Sequence, residues 1–133
     1  MALAARERPL SPFLHYRWMF TNTLSILHRI SGLALAAAIF LLVYWLMAAA
    51  AGPEHYDRAL GVLASWPMQG LLFLATLAFS YHLLNGIRHL FFDAGRGFDL
   101  PVARASARAV SIGSVVLTIL GWWLLKRSLG GGA

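Results

Sequence analysis

Three long hydrophobic segments alternate with short polar ones along the chain, at about residues 26–51, 66–92 and 107–127. The first has no charge after Arg29, and the second has none before Arg88. A helix needs about 20 apolar residues to cross the hydrocarbon core of a bilayer. The pattern therefore predicts an all-α integral membrane fold with three transmembrane helices, preceded by an N-terminal segment at the membrane interface.

Glycine and proline residues separate the three segments. Gly52 and Pro53 follow the first segment, and Gly95 and Pro101 follow the second. Such residues end helices or begin turns. They predict a loop over residues 54–65 and another loop before the third segment, within a single membrane-anchor domain covering the whole chain.

Basic residues collect on one side of the predicted bundle. The N-terminal arm holds Arg6, Arg8 and Arg17, and the loop after the second span holds Arg96 and Arg104. Two crossings separate the arm from this loop, so both lie on the same side of the membrane. The excess of Lys and Arg in cytoplasmic segments predicts a cytoplasmic N-terminus.

The composition supports a membrane protein and argues against a nucleic-acid partner. Hydrophobic residues make up 59% of the chain and charged residues 12%, which is too little charge to cover a soluble domain. The net charge of +6 comes from residues that flank the spans, so it indicates topology and not a basic binding face. The arm lacks the hydrophobic core of a signal peptide and is too short for a transit peptide. We therefore expect the bacterial inner (cytoplasmic) membrane.

The chain contains no cysteine. It therefore has no thiolate to ligate an iron–sulfur cluster and no thiol nucleophile. Any such redox centre must belong to a partner.

A first polar cluster lies where the first span begins. On a helix, Ser25 and His28 are three residues apart and Ser25 and Arg29 four, so the three side chains share one patch. A hydroxyl, an imidazole and a cation in this patch could hydrogen-bond a quinone carbonyl or pair with haem propionates. An arginine that reaches lipid headgroups, with Ser25 at the helix start, is an equally good interpretation.

A second polar cluster lies towards the end of the second span. His82 and His89 share nearly one helix face, about 10 Å apart along the axis, and Gly86 between them leaves room for a flat macrocycle. We favour the interpretation that His82 ligates haem over the interpretation that it is only hydrogen-bonded within the core of the bundle. Two histidines on one face cannot bind one iron from opposite sides, so His89 is interpreted as a propionate or interface partner. Asp93 with Arg88 indicates an ordinary ion pair at the helix end.

Both clusters belong to longer motifs that occur in a fixed order. The first is RPLSP, then YR, then SILHRISG within residues 8–32, and the second is H-x3-GIRHL-x2-D over residues 82–93. Together they resemble the cytochrome b556 subunit of succinate dehydrogenases, the large membrane anchor of respiratory complex II. Relatives more often have His-Leu-Gln where this chain has Phe13-Leu14-His15 before Tyr16, which leaves His15 without an expected role.

The resemblance implies a haem b-binding, quinone-site-forming anchor that is not catalytic alone and passes electrons from a partner iron–sulfur subunit to ubiquinone. It implies that a flavoprotein carries the flavin and that a small anchor subunit supplies the second haem ligand, all within a heteromeric helix bundle. The site residues it implies are His82 as axial iron ligand, Ser25 and Arg29 at the quinone, and His28, Arg88 and His89 near the haem propionates.

Two other functions compete with this expectation. One is an anchor of a quinol:fumarate reductase, which runs the reaction in reverse. The other is a haem-free structural anchor whose histidines are only hydrogen-bonded. A transporter is disfavoured because three spans lack the repeat symmetry that transporter sites use.

Overall fold

A computed structural model describes residues 20–130, and every regular element in that range is a helix. The four helices are α1 (Phe20–Ala51), α2 (Pro53–Leu63), α3 (Trp66–Asp93) and α4 (Leu100–Gly130). Helices α1, α3 and α4 are long and apolar enough to cross a membrane. The prediction of an all-α fold with three transmembrane helices is therefore confirmed. The interfacial arm with its arginines lies outside the described residues.

The segment predicted as a loop over residues 54–65 contains helix α2, so that prediction was wrong. Gly52 has a φ of 112° and breaks α1, and Pro53 starts α2 in the first helical turn, where its missing N–H costs nothing. Glu54 forms an ion pair with Arg58 one turn later, and Ala59 is fully buried. The charged residues of this segment form the polar face of a short amphipathic helix.

The turn between α3 and α4 is made by two glycines with left-handed backbone. Gly95 has a φ of 73° and Gly97 a φ of 85°, which side-chain-bearing residues rarely adopt. Pro101 does not act as a breaker, because it stands in the first turn of α4. Helix α4 therefore begins well before the predicted start at residue 107, which marks where the apolar run begins and not where the helix does.

Helix α3 lies between α1 and α4 and packs against both. Its contact with α4 uses small polar side chains: the Thr118 hydroxyl is 3.3 Å from that of Ser80, and the Trp122 indole donates to Thr76 over 3.2 Å. Hydrogen bonds between helices are one source of cohesion in lipid, where the hydrophobic effect does not hold helices together. The contact between α3 and α4 thus includes a row of polar side chains inside an apolar bundle.

The outer surface of the bundle is apolar. Large side chains on the long helices are widely exposed, among them Phe40 at 77% and Leu33 at 75%. Few hydrophobic side chains are buried, and Leu24 is the largest of them. Exposed apolar area on this scale suits lipid or the helices of another membrane subunit.

Candidate functional site

Helices α1 and α3 bring three histidines into one stack. The rings of His28 and His82 are 4.0 Å apart between centroids and 11° from parallel. The rings of His28 and His89 are 5.2 Å apart and tilted by 42°. Since His82 and His89 lie two turns apart on α3, the His28 ring from α1 is inserted between them. The two polar clusters of the sequence therefore form one site, which the spacing within either motif could not show.

Gly86 makes room for the inserted ring. A Cβ built at this position would lie 4.0 Å from Cε1 of His28, an ordinary contact distance, so any side chain longer than alanine would press on the imidazole. That this glycine leaves space for a macrocycle against α3 stays a prediction. The histidine from α1 occupies that space.

The hydrogen bonds of His82 determine which of its nitrogens carries the proton. Nδ1 of His82 lies 3.2 Å from the backbone carbonyl oxygen of His28 and 3.1 Å from Oγ of Ser31. A carbonyl oxygen can only accept a hydrogen bond, so the bond to His28 forms in the neutral ring when Nδ1 is the protonated nitrogen. Nε2 then keeps its lone pair, and this is the tautomer that a metal-binding histidine uses when its other nitrogen bonds a carbonyl.

Close approach of α1 to this ring depends on Gly32. A Cβ at this position would lie 3.1 Å from Cε1 of His82 and 3.6 Å from its Nδ1. The shorter distance is less than an ordinary carbon–carbon contact of about 3.5–4.0 Å. The glycine of the SILHRISG motif thus lets the backbone of α1 reach the imidazole.

Ser25 and Arg29 lie on α1 near the same end of the bundle, and both side chains are exposed. Helix α1 covers both positions, so their spacing of four residues does place them on one face. Arg29 directly follows His28 in the sequence, which puts this face beside the histidine stack. The two residues are open to a ligand or a partner surface.

Tyr81 is a site residue that the sequence analysis gave no role. Its hydroxyl donates a 2.8 Å hydrogen bond to the backbone carbonyl of Leu24, which joins α3 to the first turns of α1. The bond fixes the backbone immediately before Ser25. The only sequence signal is the position of Tyr81 next to His82.

Arg88 faces α4 and not the histidine stack. Its side chain is buried; Nε donates to Ser106 over 3.0 Å and Nη2 to the Ala103 carbonyl over 3.3 Å. The guanidinium also lies 4.5 Å above the Phe92 ring. The predicted ion pair with Asp93 is wrong, because between residues 20 and 130 the one ion pair is that within α2. These contacts do not favour Arg88 as a propionate partner.

The three histidines do not form a site for a bare metal ion. Within the part of the chain that the structure describes, no group of three or more His, Cys, Asp or Glu side chains converges on one point. The His28 and His82 rings stack face to face, and the His89 ring is tilted against His28. A single nitrogen offered by His82 fits a metal that is already held by a macrocycle and needs one axial ligand from this chain.

Comparison with known proteins identifies a matching family. Residues 4–121 match the family described as "Succinate dehydrogenase/Fumarate reductase transmembrane subunit". The succinate dehydrogenase cytochrome b556 subunit of Paracoccus denitrificans is 45% identical over 115 residues, covering 86% of this chain and 88% of the relative. That of Rickettsia conorii is 41% identical over 118 residues, covering 87% and 91%.

A mitochondrial protein is also similar. The succinate dehydrogenase cytochrome b560 subunit of Mus musculus is 36% identical over 117 residues, which cover 86% of this chain and 67% of the mouse protein. The resemblance found in the two sequence motifs is thus confirmed over most of the chain. The chain belongs to the family of succinate dehydrogenase and fumarate reductase transmembrane subunits.

Proposed function

We propose that the chain is the haem b-binding, quinone-site-forming membrane anchor of a succinate:ubiquinone oxidoreductase, passing electrons from a partner iron–sulfur subunit to ubiquinone. The observation that carries the proposal is the state of His82. This histidine lies in a membrane-spanning helix, its Nδ1–H is used by α1, and its Nε2 keeps a lone pair for iron.

The donor set fits haem b with one axial ligand from this chain. When bound, the haem supplies one-electron redox chemistry. His82 would hold the iron through Nε2. The neighbours available to haem propionates are His28, which stacks on His82, and His89, which contacts the other ring of that pair, His28. Arg88 was expected to join them, but its contacts make it the side chain that holds α3 to α4.

Ser25 and Arg29 are proposed to bind the quinone. A hydroxyl and a guanidinium on one exposed helix face can hydrogen-bond a quinone carbonyl, and the fixed cation stabilises negative charge that develops on the ring oxygen. Both residues lie at the end of the bundle that is predicted to be cytoplasmic, where water can supply the protons that quinone reduction consumes. Ser25 and Arg29 thus orient the ring, while the donors of electrons lie elsewhere.

Partners must supply the remaining centres. The chain has no cysteine, so iron–sulfur clusters belong to a partner iron–sulfur subunit, and we assign the flavin to a partner flavoprotein, as in succinate dehydrogenases generally. A small anchor subunit is proposed to give the second haem ligand, because α3 presents His82 from one side only. The predicted location is the bacterial inner membrane, with the N-terminus in the cytoplasm.

Purification of the intact complex in mild detergent tests this function. We expect flavin, iron–sulfur clusters and b-type absorption to co-purify with the chain, together with succinate-dependent reduction of ubiquinone. A complex that transfers electrons to quinone but has no b-type pigment would support the haem-free anchor instead. The matching family includes fumarate reductase subunits, so rates should be measured in both directions; faster quinol-dependent fumarate reduction would favour the reverse role.

A further inference from the structure

Ser31 is a buried residue of α1 that contacts the imidazole of His82. Its side chain is 6% exposed, and its Oγ lies 3.1 Å from Nδ1 of His82. We propose that Ser31 is a positioning residue that fixes the tautomer and the orientation of the His82 ring. The proposal rests on the proposed ligation of haem by His82.

With Nδ1 of His82 protonated, the hydrogen bonds around Ser31 have one consistent arrangement. The Ser31 hydroxyl has a single proton, and it donates this proton to the backbone carbonyl of His28 over 2.8 Å. Its oxygen can then act towards His82 only as an acceptor. Ser31 and the His28 carbonyl therefore share the Nδ1–H of His82, and both require the same tautomer.

Three residues of α1 limit how the ring can move. The His28 imidazole stacks on it at 4.0 Å and fixes its plane, while Ser31 and the His28 carbonyl fix the direction of Nδ1. Gly32, whose added Cβ would stand 3.1 Å from Cε1, closes the side next to Nδ1. We call the His28 carbonyl, Ser31 and Gly32 the His82 cradle.

The cradle has a chemical consequence for Nε2. A hydrogen bond accepted from Nδ1–H raises the basicity of the opposite nitrogen and holds the ring in the orientation that a metal needs. A more basic axial ligand stabilises the oxidised iron more than the reduced iron. Ser31 should therefore tighten haem binding and lower its midpoint potential.

Ser114 provides a matched control within the same chain. It is 3% exposed, and its hydroxyl donates to the carbonyl three residues earlier, that of Ser111, over 2.9 Å. It thus repeats the burial and local hydrogen bond of Ser31, but it lies on α4 and contacts no histidine. Ser114→Ala removes a serine hydroxyl without touching the cradle.

The experiment compares the purified complex carrying Ser31→Ala, Ser31→Thr or Ser114→Ala with the wild type. The readouts are haem per flavin, the rate of haem transfer to excess apomyoglobin, and the midpoint potential from an optical redox titration. In Ser31→Ala we expect roughly 10-fold weaker haem retention, within the range for lost partners of metal-ligating histidines, and a higher potential. Ser31→Thr, which keeps the hydroxyl, and Ser114→Ala should behave as the wild type.

Each outcome decides the proposal. Complete loss of haem in Ser31→Ala, with normal haem in the other two variants, would also support it. Wild-type haem retention with an unchanged or lower potential in Ser31→Ala would overturn it, as would equal changes in Ser114→Ala. A wild-type complex without b-type pigment would be a different failure, because it would remove the proposed haem ligation and with it any role for Ser31.

Discussion

Replacement of Gly32 by alanine tests how closely α1 must approach His82. The new Cβ would stand 3.1 Å from Cε1 of His82, several tenths of an ångström inside an ordinary contact. The ring would have to move away by that amount. Its hydrogen bonds from Nδ1, now 3.1 Å to Ser31 and 3.2 Å to His28, would lengthen towards or beyond the 3.5 Å at which such bonds cease to be useful.

The cost to stability should be small while the cost to the site is large. Overpacking of a well-packed contact typically costs about 1–3 kcal/mol, and alanine regains about 1 kcal/mol over glycine in a helix. A net destabilisation of about 0–2 kcal/mol follows. The complex should therefore assemble, but with less haem per flavin and a changed b-type spectrum.

Gly121→Ala is the matched control for this prediction. Gly121 also lies inside a long helix, α4, and nothing stands within 4 Å of a Cβ built there. Gly121→Ala gains the same helix propensity as Gly32→Ala but introduces no clash, so its haem content should stay at the wild-type level and its thermal stability should not fall. The assay is the haem-to-flavin ratio and the thermal inactivation midpoint of both variants. Full haem content with a wild-type spectrum in Gly32→Ala would refute the close-approach argument.

Three further predictions concern other parts of the chain. Replacing Ser25 or Arg29 by alanine should reduce succinate:quinone activity by 10-fold or more, since each contributes a contact that stabilises charge on the quinone. Succinate oxidation by artificial acceptors should continue. Normal quinone reduction in both variants would contradict the proposed site. Arg88→Met should destabilise the complex by about 1–3 kcal/mol, because it removes the two hydrogen bonds that the guanidinium donates to Ser106 and to the Ala103 carbonyl of α4. The measurement is the thermal midpoint, which should fall; an unchanged midpoint would argue against a role in holding α3 to α4. Asn85→Leu should leave the thermal midpoint unchanged or raise it. Asn85 is fully buried, neither atom of its amide has a hydrogen-bond partner among the described residues, and burial of an unpaired amide is costly. A marked fall in the midpoint would show that the amide has a partner in the assembled complex.

The sequence predicted the spans well because hydrophobicity over about 20 residues is a strong and local signal. It was less successful where a helix is polar. Helix α2 was predicted as a loop because Gly52 and Pro53 end the first apolar run. The start of α4 was placed too late because its first turns, which contain Pro101 and Arg104, lie before the apolar run. In both places the chain is helical outside the apolar run, and hydropathy does not report that.

The candidate site was predictable only in part. The periodicity of each motif placed Ser25 beside Arg29 and His82 in line with His89, but it contained no information on how α1 and α3 meet. The insertion of His28 above Gly86 depends on the distance and rotation between two helices, which are set by packing across the whole interface. The attachment of Arg88 to α4 likewise depends on the turn between α3 and α4, which charge patterning alone does not define.

The central claim is that His82 holds haem iron through its free Nε2, and a difference spectrum tests it most directly. Reduced-minus-oxidised spectra should be recorded for the purified complex with His82→Ala and with His89→Ala, each normalised to flavin. We expect the b-type absorption to disappear or change its ligation in His82→Ala, while His89→Ala keeps the wild-type band shape, because His89 lies two turns away and is not an iron ligand. An unaltered b-type spectrum at full intensity in His82→Ala would contradict the claim.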